Sequence, residues 1–114
     1  MQVPKQSTLK LTHFGRKSGK PFDVTIWFID AGGELWIGSL DTSRNWVRNL
    51  RATGKGKVSF GNGTRDVSAE FLADPADVAR YRAAVAAKYP ILSRIIGLFV
   101  RGKTPAVFRL HDAG

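Results

Sequence analysis

The sequence predicts an α+β domain whose six mainly antiparallel strands curl into a barrel and are accompanied by two or three helices. Segments with alternating or β-branched residues are joined by short glycine-containing turns, which is the pattern of hairpins. Helical spacing interrupts them twice, giving the order β-β-β-α-β-β-α-β rather than the βαβ alternation of a parallel sheet. A sheet of this size avoids exposed edges by closing on itself, which favours a barrel.

The first three strands are predicted from a period of two and from β-branched and aromatic residues. Residues 7–14, STLKLTHF, alternate apolar and polar side chains, and glycines and a proline mark a turn at residues 15–21. Residues 22–30, FDVTIWFID, are typical of a long strand. A glycine turn at residues 31–34 joins it to the third strand, residues 35–40.

The period then changes to that of a short helix over residues 42–53, with Thr42 or Ser43 as its expected N-cap. The apolar positions at helical spacing are Trp46, Val47 and Leu50. A second hairpin follows, and its turn is marked by Asn62-Gly63.

The clearest helix starts after Asp74, which is expected to cap it, with Pro75 at the first helical position and Pro90 at its end. Its apolar stripe consists of Val78, Tyr81, Val85 and Tyr89. The apolar segment at residues 91–103 fits no element clearly, and residues 104–112 predict a closing strand.

Length and charge limit the classes of function. The chain of 114 residues suits a single domain, residues 1–114, and has no cysteine, which excludes disulfides, thiolate metal sites and a cysteine nucleophile. No signal peptide or apolar run of membrane-spanning length is present, so a cytoplasmic location is expected. The net charge of +9 favours an anionic partner, either nucleic acid, an anionic lipid surface or a phosphorylated small molecule.

The turn GRKSGK, residues 15–20, is the first candidate site, and we refer to it as the basic turn. Its cations surround Ser18, and its two glycines free the backbone so that amide N–H groups can converge on an anion. The glycine spacing is not that of a phosphate-binding P-loop. From these residues alone, phosphate binding and a solvated loop remain equal alternatives.

The second candidate is the strand–loop–helix segment GSLDTSRNWVRNL. Free N–H groups at the start of its helix suit an anion or a polar ring, and Trp46 either stacks on that ring or fills the core. His13 and His111 lie on different predicted strands, and no metal, paired-carboxylate or serine-elbow motif occurs. These absences disfavour a hydrolase or a metalloenzyme, but such a protein can still be an enzyme if a bound cofactor carries the chemistry.

Three segments in order resemble the deazaflavin-dependent nitroreductase family of split β-barrel oxidoreductases: LTHFGRKSGKPFDVTIWFI, GELWIGSLDTSRNWVRNLRATGKGKVSF and AAKYPILSRIIGLFVRGKTPAVFRL. The shared motifs are the Gly-Arg-Lys-Ser-Gly-Lys turn, a Trp-x-x-Asn-Leu helix start and a Tyr-Pro after the long helix. The likeness covers residues 9–110.

This resemblance implies a split β-barrel and an oxidoreductase that binds coenzyme F420, a deazaflavin with a phosphate and a polyglutamate tail. It also implies hydride transfer to an electron-poor acceptor such as a quinone, a nitroaromatic or an activated alkene. The residues implied for the phosphate are Arg16, Lys17, Ser18, Gly19 and Lys20. Those implied for the ring side are Ser39, Leu40, Trp46 and Asn49. Ser39 would also orient the acceptor, and the alternative for Asn49 is a structural role. Those implied for the substrate pocket are Tyr89, Ile96 and Phe99.

Two alternatives stay open from the sequence. One is a split-barrel protein that binds FMN or another cofactor and catalyses a different reaction. The other is a small basic nucleic-acid-binding module, which is disfavoured because the aromatic residues fall on core-like periods and no recognition motif occurs. The partners considered are therefore a small-molecule substrate, a second copy of the chain in a homodimer, and weak contact with a membrane surface, with no nucleic acid expected.

Overall fold

The computed structural model describes residues 8–61, 63–89 and 104–113. Six antiparallel strands form a closed barrel in the order β1-β2-β3-β6-β5-β4, and two helices are present in the described part of the chain. The predicted fold class and element order are therefore confirmed. The elements are β1 (Thr8–Phe14), β2 (Pro21–Ala31), β3 (Glu34–Ser39), α1 (Asn45–Thr53), β4 (Lys55–Ser59), β5 (Thr64–Phe71), α2 (Pro75–Lys88) and β6 (Ala106–Asp112).

The barrel is closed by three pairings that connect strands distant in sequence. β1 pairs with β4, with Leu11 opposite Val58, and β6 pairs with both β3 and β5. Because side chains alternate across each strand, one face of every strand points into the barrel. The fully buried interior residues include Leu11, Phe28, Ile37 and Phe108.

Helix α2 covers the outside of the barrel and creates a second apolar cluster. Trp36 and Ile29 of the strands pack against Val78, and Tyr81, Val85 and Tyr89 border the same cluster. The predicted apolar stripe of this helix is therefore confirmed. Asp74 is its N-cap and accepts a hydrogen bond from the Ala76 N–H at 2.9 Å, with Pro75 in the first turn, as expected.

Helix α1 lies against β1 and β5 and buries Trp46, Val47, Asn49 and Leu50. Gly56 on β4 permits this close approach, because a Cβ there would lie 2.8 Å from the Thr12 carbonyl oxygen and 3.5 Å from Leu50. The left-handed Gly54, with φ of 67°, ends the helix.

The predicted N-cap of α1 is wrong. The N-cap is Arg44, whose side chain makes no capping hydrogen bond, instead of Thr42 or Ser43. The physical reason is a local competitor: the Asp41 carboxylate accepts hydrogen bonds from both the amide and the hydroxyl of Ser43. Ser43 is thus held in a turn before the helix and does not cap it.

Candidate functional site

The basic turn is a closed hydrogen-bonded loop between β1 and β2. The Gly15 N–H donates to the Lys20 carbonyl at 2.9 Å, and the Gly19 N–H donates to the Gly15 carbonyl at 2.8 Å. The Lys20 N–H donates to the Ser18 hydroxyl at 3.2 Å. Both glycine amides are used to close the turn, so these two N–H groups are not directed at an anion.

Asn49 of α1 fixes the basic turn to the barrel. Its side-chain oxygen accepts hydrogen bonds from the Arg16 backbone N–H at 3.1 Å and from Arg16 Nη1 at 2.8 Å. Its side-chain nitrogen lies 2.9 Å from His13 Nδ1. Asn49 is only 3% exposed, so these bonds form away from water and hold the guanidinium in one direction.

A groove with a volume of about 690 Å³ opens between the basic turn, the start of β2 and the start of α1. This size is within the range of small-molecule and cofactor sites. Its lining residues are His13, Gly15, Arg16, Lys17, Ser18, Phe22, Asp23, Val24, Ser43, Arg44, Asn45, Trp46 and Asn49. The two segments that the sequence singled out separately thus line one groove.

The N-terminus of α1 opens into this groove. The first intrahelical bond runs from the Arg48 N–H to the Arg44 carbonyl at 3.1 Å, so the amides before Arg48 have no intrahelical acceptor. No acidic residue lies in the first turn and no side chain caps it. The positive end of the helix dipole therefore adds to the charges of Arg16, Lys17 and Arg44 around the groove.

Two features of the groove limit this positive character. Asp23 lies in its wall and accepts a hydrogen bond from the Thr12 hydroxyl at 2.6 Å. His13 is 5% exposed, and burial lowers its pKa below the usual 6.5, while the Asp23 carboxylate acts weakly in the opposite direction. His13 is therefore a neutral imidazole at pH 7, and its ring stacks on Phe22 with centroids 5.7 Å apart.

The structure brings together part of the predicted site. Arg16, Lys17, Ser18, Trp46 and Asn49 line the groove, whereas Gly19, Lys20, Ser39, Leu40 and Tyr89 are not among its lining residues. The Ser39 hydroxyl donates to the Asp41 carbonyl and accepts from the Asp41 N–H. Ile96 and Phe99 lie outside the described residues.

Tyr89 lies on the outside of β2. Its hydroxyl donates to the Phe28 carbonyl at 3.1 Å, and its ring stacks on Trp27 at 5.2 Å between centroids. Its assignment to a substrate pocket stays a prediction, since no acceptor-binding surface is defined by the contacts of this ring.

Sequence reasoning missed residues of the groove wall, among them His13, Phe22 and Asp23. One histidine in a strand carries no motif, so the sequence pattern favours a structural role for His13. The signal that could have found all three is their place next to the basic turn: the hairpin pairs His13 with Phe22 and Thr12 with Asp23.

The closed barrel of six antiparallel strands with two helices among the described residues defines a class, the split β-barrel proteins. A family model described as F420H(2)-dependent quinone reductase matches residues 1–95. The chain belongs to this family and is therefore an oxidoreductase that uses coenzyme F420. No match was found among curated protein sequences.

Solved structures show the same fold at low identity. The F420-H2-dependent reductase FDR-A is 21% identical, with 97% of this chain and 99% of that chain covered and a TM-score of 0.72. HutZ, the haem storage protein from Vibrio cholerae, is 16% identical, with 95% and 82% covered and a TM-score of 0.72. A protein described as a domain-swapped dimer is 19% identical, with 97% and 84% covered and a TM-score of 0.75. Neither described helix is long and apolar enough to cross a membrane.

The donor set of the groove fits coenzyme F420. Three features suit an anionic phosphate, namely the Arg16 guanidinium, the Lys17 ammonium and the uncapped start of α1. The Phe22 side chain, 48% exposed in the groove wall, suits a flat ring, whereas His13 and Trp46 are each only 5% exposed and Trp46 packs in the barrel core.

Proposed function

We propose that this groove binds the phosphate-bearing part of coenzyme F420, and that the chain uses the reduced cofactor to reduce an electron-poor acceptor. The acceptor classes are a quinone, a nitroaromatic or an activated alkene, with a quinone favoured by the family's description. The observation that carries the proposal is the convergence of the basic turn and the open N-terminus of α1 on one groove.

The residues of the turn have different roles in this proposal. Arg16 is held by Asn49 through Nη1 and its backbone amide, so its remaining guanidinium N–H groups are available to a phosphate in a fixed direction. Lys17 adds a charge on a longer and freer stem, and the Ser18 hydroxyl is already engaged by the Lys20 amide. Arg16 is therefore expected to contribute most to phosphate affinity.

The bound cofactor supplies the hydride, so the protein's part is positioning and exclusion of water. Phe22 is 48% exposed in the groove wall and offers an apolar face for the ring or its chain, while Trp46 is 5% exposed and packs mainly in the core. Ser39 and Leu40 are proposed at the ring side because the family resemblance puts them there. Gly19 acts in the proposal through its φ of 70°, which shapes the turn, rather than through its amide.

Replacing Arg16 and Lys17 together with alanine is expected to weaken F420 binding about a hundredfold or more, because hydrogen bonds to a charged group contribute roughly 1.5–3 kcal/mol each and two such side chains are removed. Fluorescence titration of the wild-type protein and the variant with oxidised F420 measures this effect. Turnover at saturating cofactor is expected to change far less, since these side chains contact the tail and not the reacting ring.

A matched control removes two positive charges elsewhere. Lys57 and Arg65 are exposed, pair with Asp66 and Asp112, and do not line the groove, so Lys57→Ala with Arg65→Ala should leave F420 affinity nearly unchanged. An equal loss in both double variants would mean that net charge, not the groove, attracts the cofactor. Titration with FMN in parallel, and assays of F420H2 oxidation with a quinone, a nitroaromatic and an enone, identify the cofactor and acceptor classes. Tight FMN binding without F420 binding would contradict the proposal.

A second copy of the chain is the protein partner that we propose. The Trp27 side chain is 47% exposed on the outside of β2, where it stacks on Tyr89 and forms an apolar surface. A protein of the same fold is described as a domain-swapped dimer. Light scattering is expected to give twice the 12.5 kDa mass of one chain, and a single-chain mass at high concentration would contradict the homodimer.

A further inference from the structure

The hydrogen bonds around Asn49 define which nitrogen of His13 carries the proton. The backbone N–H and guanidinium of Arg16 are donors only, so the Asn49 atom facing them is its oxygen. The Asn49 NH₂ group therefore faces His13 Nδ1, which has to be an acceptor at this 2.9 Å contact. The imidazole is thus neutral with its proton on Nε2, and that tautomer sets the orientation of the carboxamide.

A protonated His13 cannot coexist with this arrangement. Protonation would place an N–H on Nδ1, directly against the NH₂ group of Asn49. If the carboxamide turned over to accept from His13, its NH₂ group would face the two Arg16 donors instead. In either orientation one side of Asn49 loses its hydrogen bond, and for a residue only 3% exposed water does not easily replace it.

The charged groups near His13 belong to several elements. Strand β2 provides the Asp23 carboxylate, the basic turn provides Arg16, and α1 provides the uncharged Asn49. On β4 the residue opposite His13 is Gly56, and its charged neighbours are directed elsewhere: Lys57 to Asp66 and Lys55 over the Phe14 ring. Asp23 is thus the one group in this set that favours a histidinium, and it is already bonded to Thr12.

We propose that His13 and Asn49 act as a positioning pair, in which neutral His13 orients the Asn49 carboxamide and Asn49 in turn holds the Arg16 guanidinium toward the groove. Binding of an anionic ligand is then coupled to the protonation state of His13, and affinity falls as His13 becomes charged. This inference rests on the proposed function only in naming coenzyme F420 as the anionic ligand.

Two variants of His13 separate positioning from packing. In His13→Asn the side-chain oxygen occupies the place of Nδ1, accepts from Asn49 and does not titrate. In His13→Phe an aromatic ring that can stack on Phe22 is kept, but no acceptor faces Asn49. The Asn49 NH₂ group then has no acceptor at residue 13 at any pH.

The ligand-dependent test is an F420 titration from about pH 5 to about pH 8, the range over which histidine charge changes. Wild-type affinity is expected to fall about tenfold more toward low pH than that of His13→Asn, which supplies the baseline for the titration of the cofactor itself. His13→Phe is expected to bind weakly throughout. The inference would be overturned if wild type and His13→Asn had equal pH profiles. It would also be overturned if wild-type affinity rose on acidification, because His13 would then act as a cation for the ligand.

A ligand-free test keeps the inference separate from the proposed function. Nitrogen NMR of the free protein, with His111→Gln to assign the two histidines, is expected to show the Nε2–H tautomer of His13. Side-chain signals of Arg16 and Asn49 should move with the same midpoint as His13. Arg16 signals that stay constant through that midpoint, or an Nδ1–H tautomer, would overturn the pair. If F420 failed to bind at any pH, the proposed function would fail while this titration still decided the inference.

Discussion

Replacing Phe108 with alanine is expected to lower the free energy of unfolding by about 3–5 kcal/mol, the cost of removing a fully buried aromatic side chain. Phe108 lies at the centre of the barrel on β6 and has no exposed surface. Its ring contacts Phe71 at 5.5 Å and Trp46 at 6.0 Å between centroids. The loss is large because three elements, β5, β6 and α1, pack on this one ring. Urea unfolding with linear extrapolation measures it.

The control is the same substitution at an exposed aromatic residue. Phe22 is 48% exposed, so Phe22→Ala is expected to cost about 1 kcal/mol or less. Phe108→Leu, which retains much of the volume, should fall between the two alanine variants. A loss at Phe108 no greater than at Phe22 would mean that the barrel interior is not packed as described. Because Trp46 rests on Phe108 and also lines the groove, Phe108→Ala should weaken F420 binding as well.

The element order could be predicted from the sequence because each strand buries one face, and burial of one face leaves a period of two. β1 illustrates this, with Leu9 and Leu11 buried between exposed or half-buried neighbours. The start of α1 could not be predicted as well. Its N-cap depends on whether the Asp41 carboxylate or the helix backbone engages Ser43, and residue preferences alone do not decide that competition.

The charges of the candidate site could be predicted from the sequence better than its geometry could. The basic turn stands out in the sequence because arginine and lysine side chains flank a serine between two glycines. The amides of those glycines close the turn, which follows only from the hydrogen bonds. The contact between Arg16 and Asn49 spans 33 residues of sequence and exists because barrel closure brings α1 against the β1–β2 turn. No local pattern encodes that distance, so His13 and Asn49 could not be assigned positioning roles beforehand.

Replacing Asn49 with aspartate is expected to reverse the direction in which the stability contributed by His13 changes with pH. In the wild type burial lowers the pKa of His13 below 6.5, so the unfolded chain binds more protons than the folded chain in the window just below that value. The stability contributed by neutral His13 is complete above about pH 6.5 and is lost as the pH falls toward the folded pKa. In Asn49→Asp a carboxylate would still accept from Arg16, but the group facing Nδ1 would now be an acceptor, which requires an N–H there.

The pKa of His13 is therefore expected to rise above about 6.5 in Asn49→Asp, and a tenfold change in the proton affinity of the imidazole corresponds to about 1.4 kcal/mol. The folded chain would then bind more protons, so the stability from this pair would be complete below about pH 6.5 and lost as the pH rises through the higher pKa. NMR titration of His13 and urea unfolding at about pH 5.5 and about pH 7.5 measure both signs. Asn49→Leu, which can neither accept from Arg16 nor donate to His13, should destabilise at both pH values without such a reversal. A His13 pKa that stayed low with the proton still on Nε2 would show that Nδ1 does not face residue 49, and the positioning pair would lose its geometric basis.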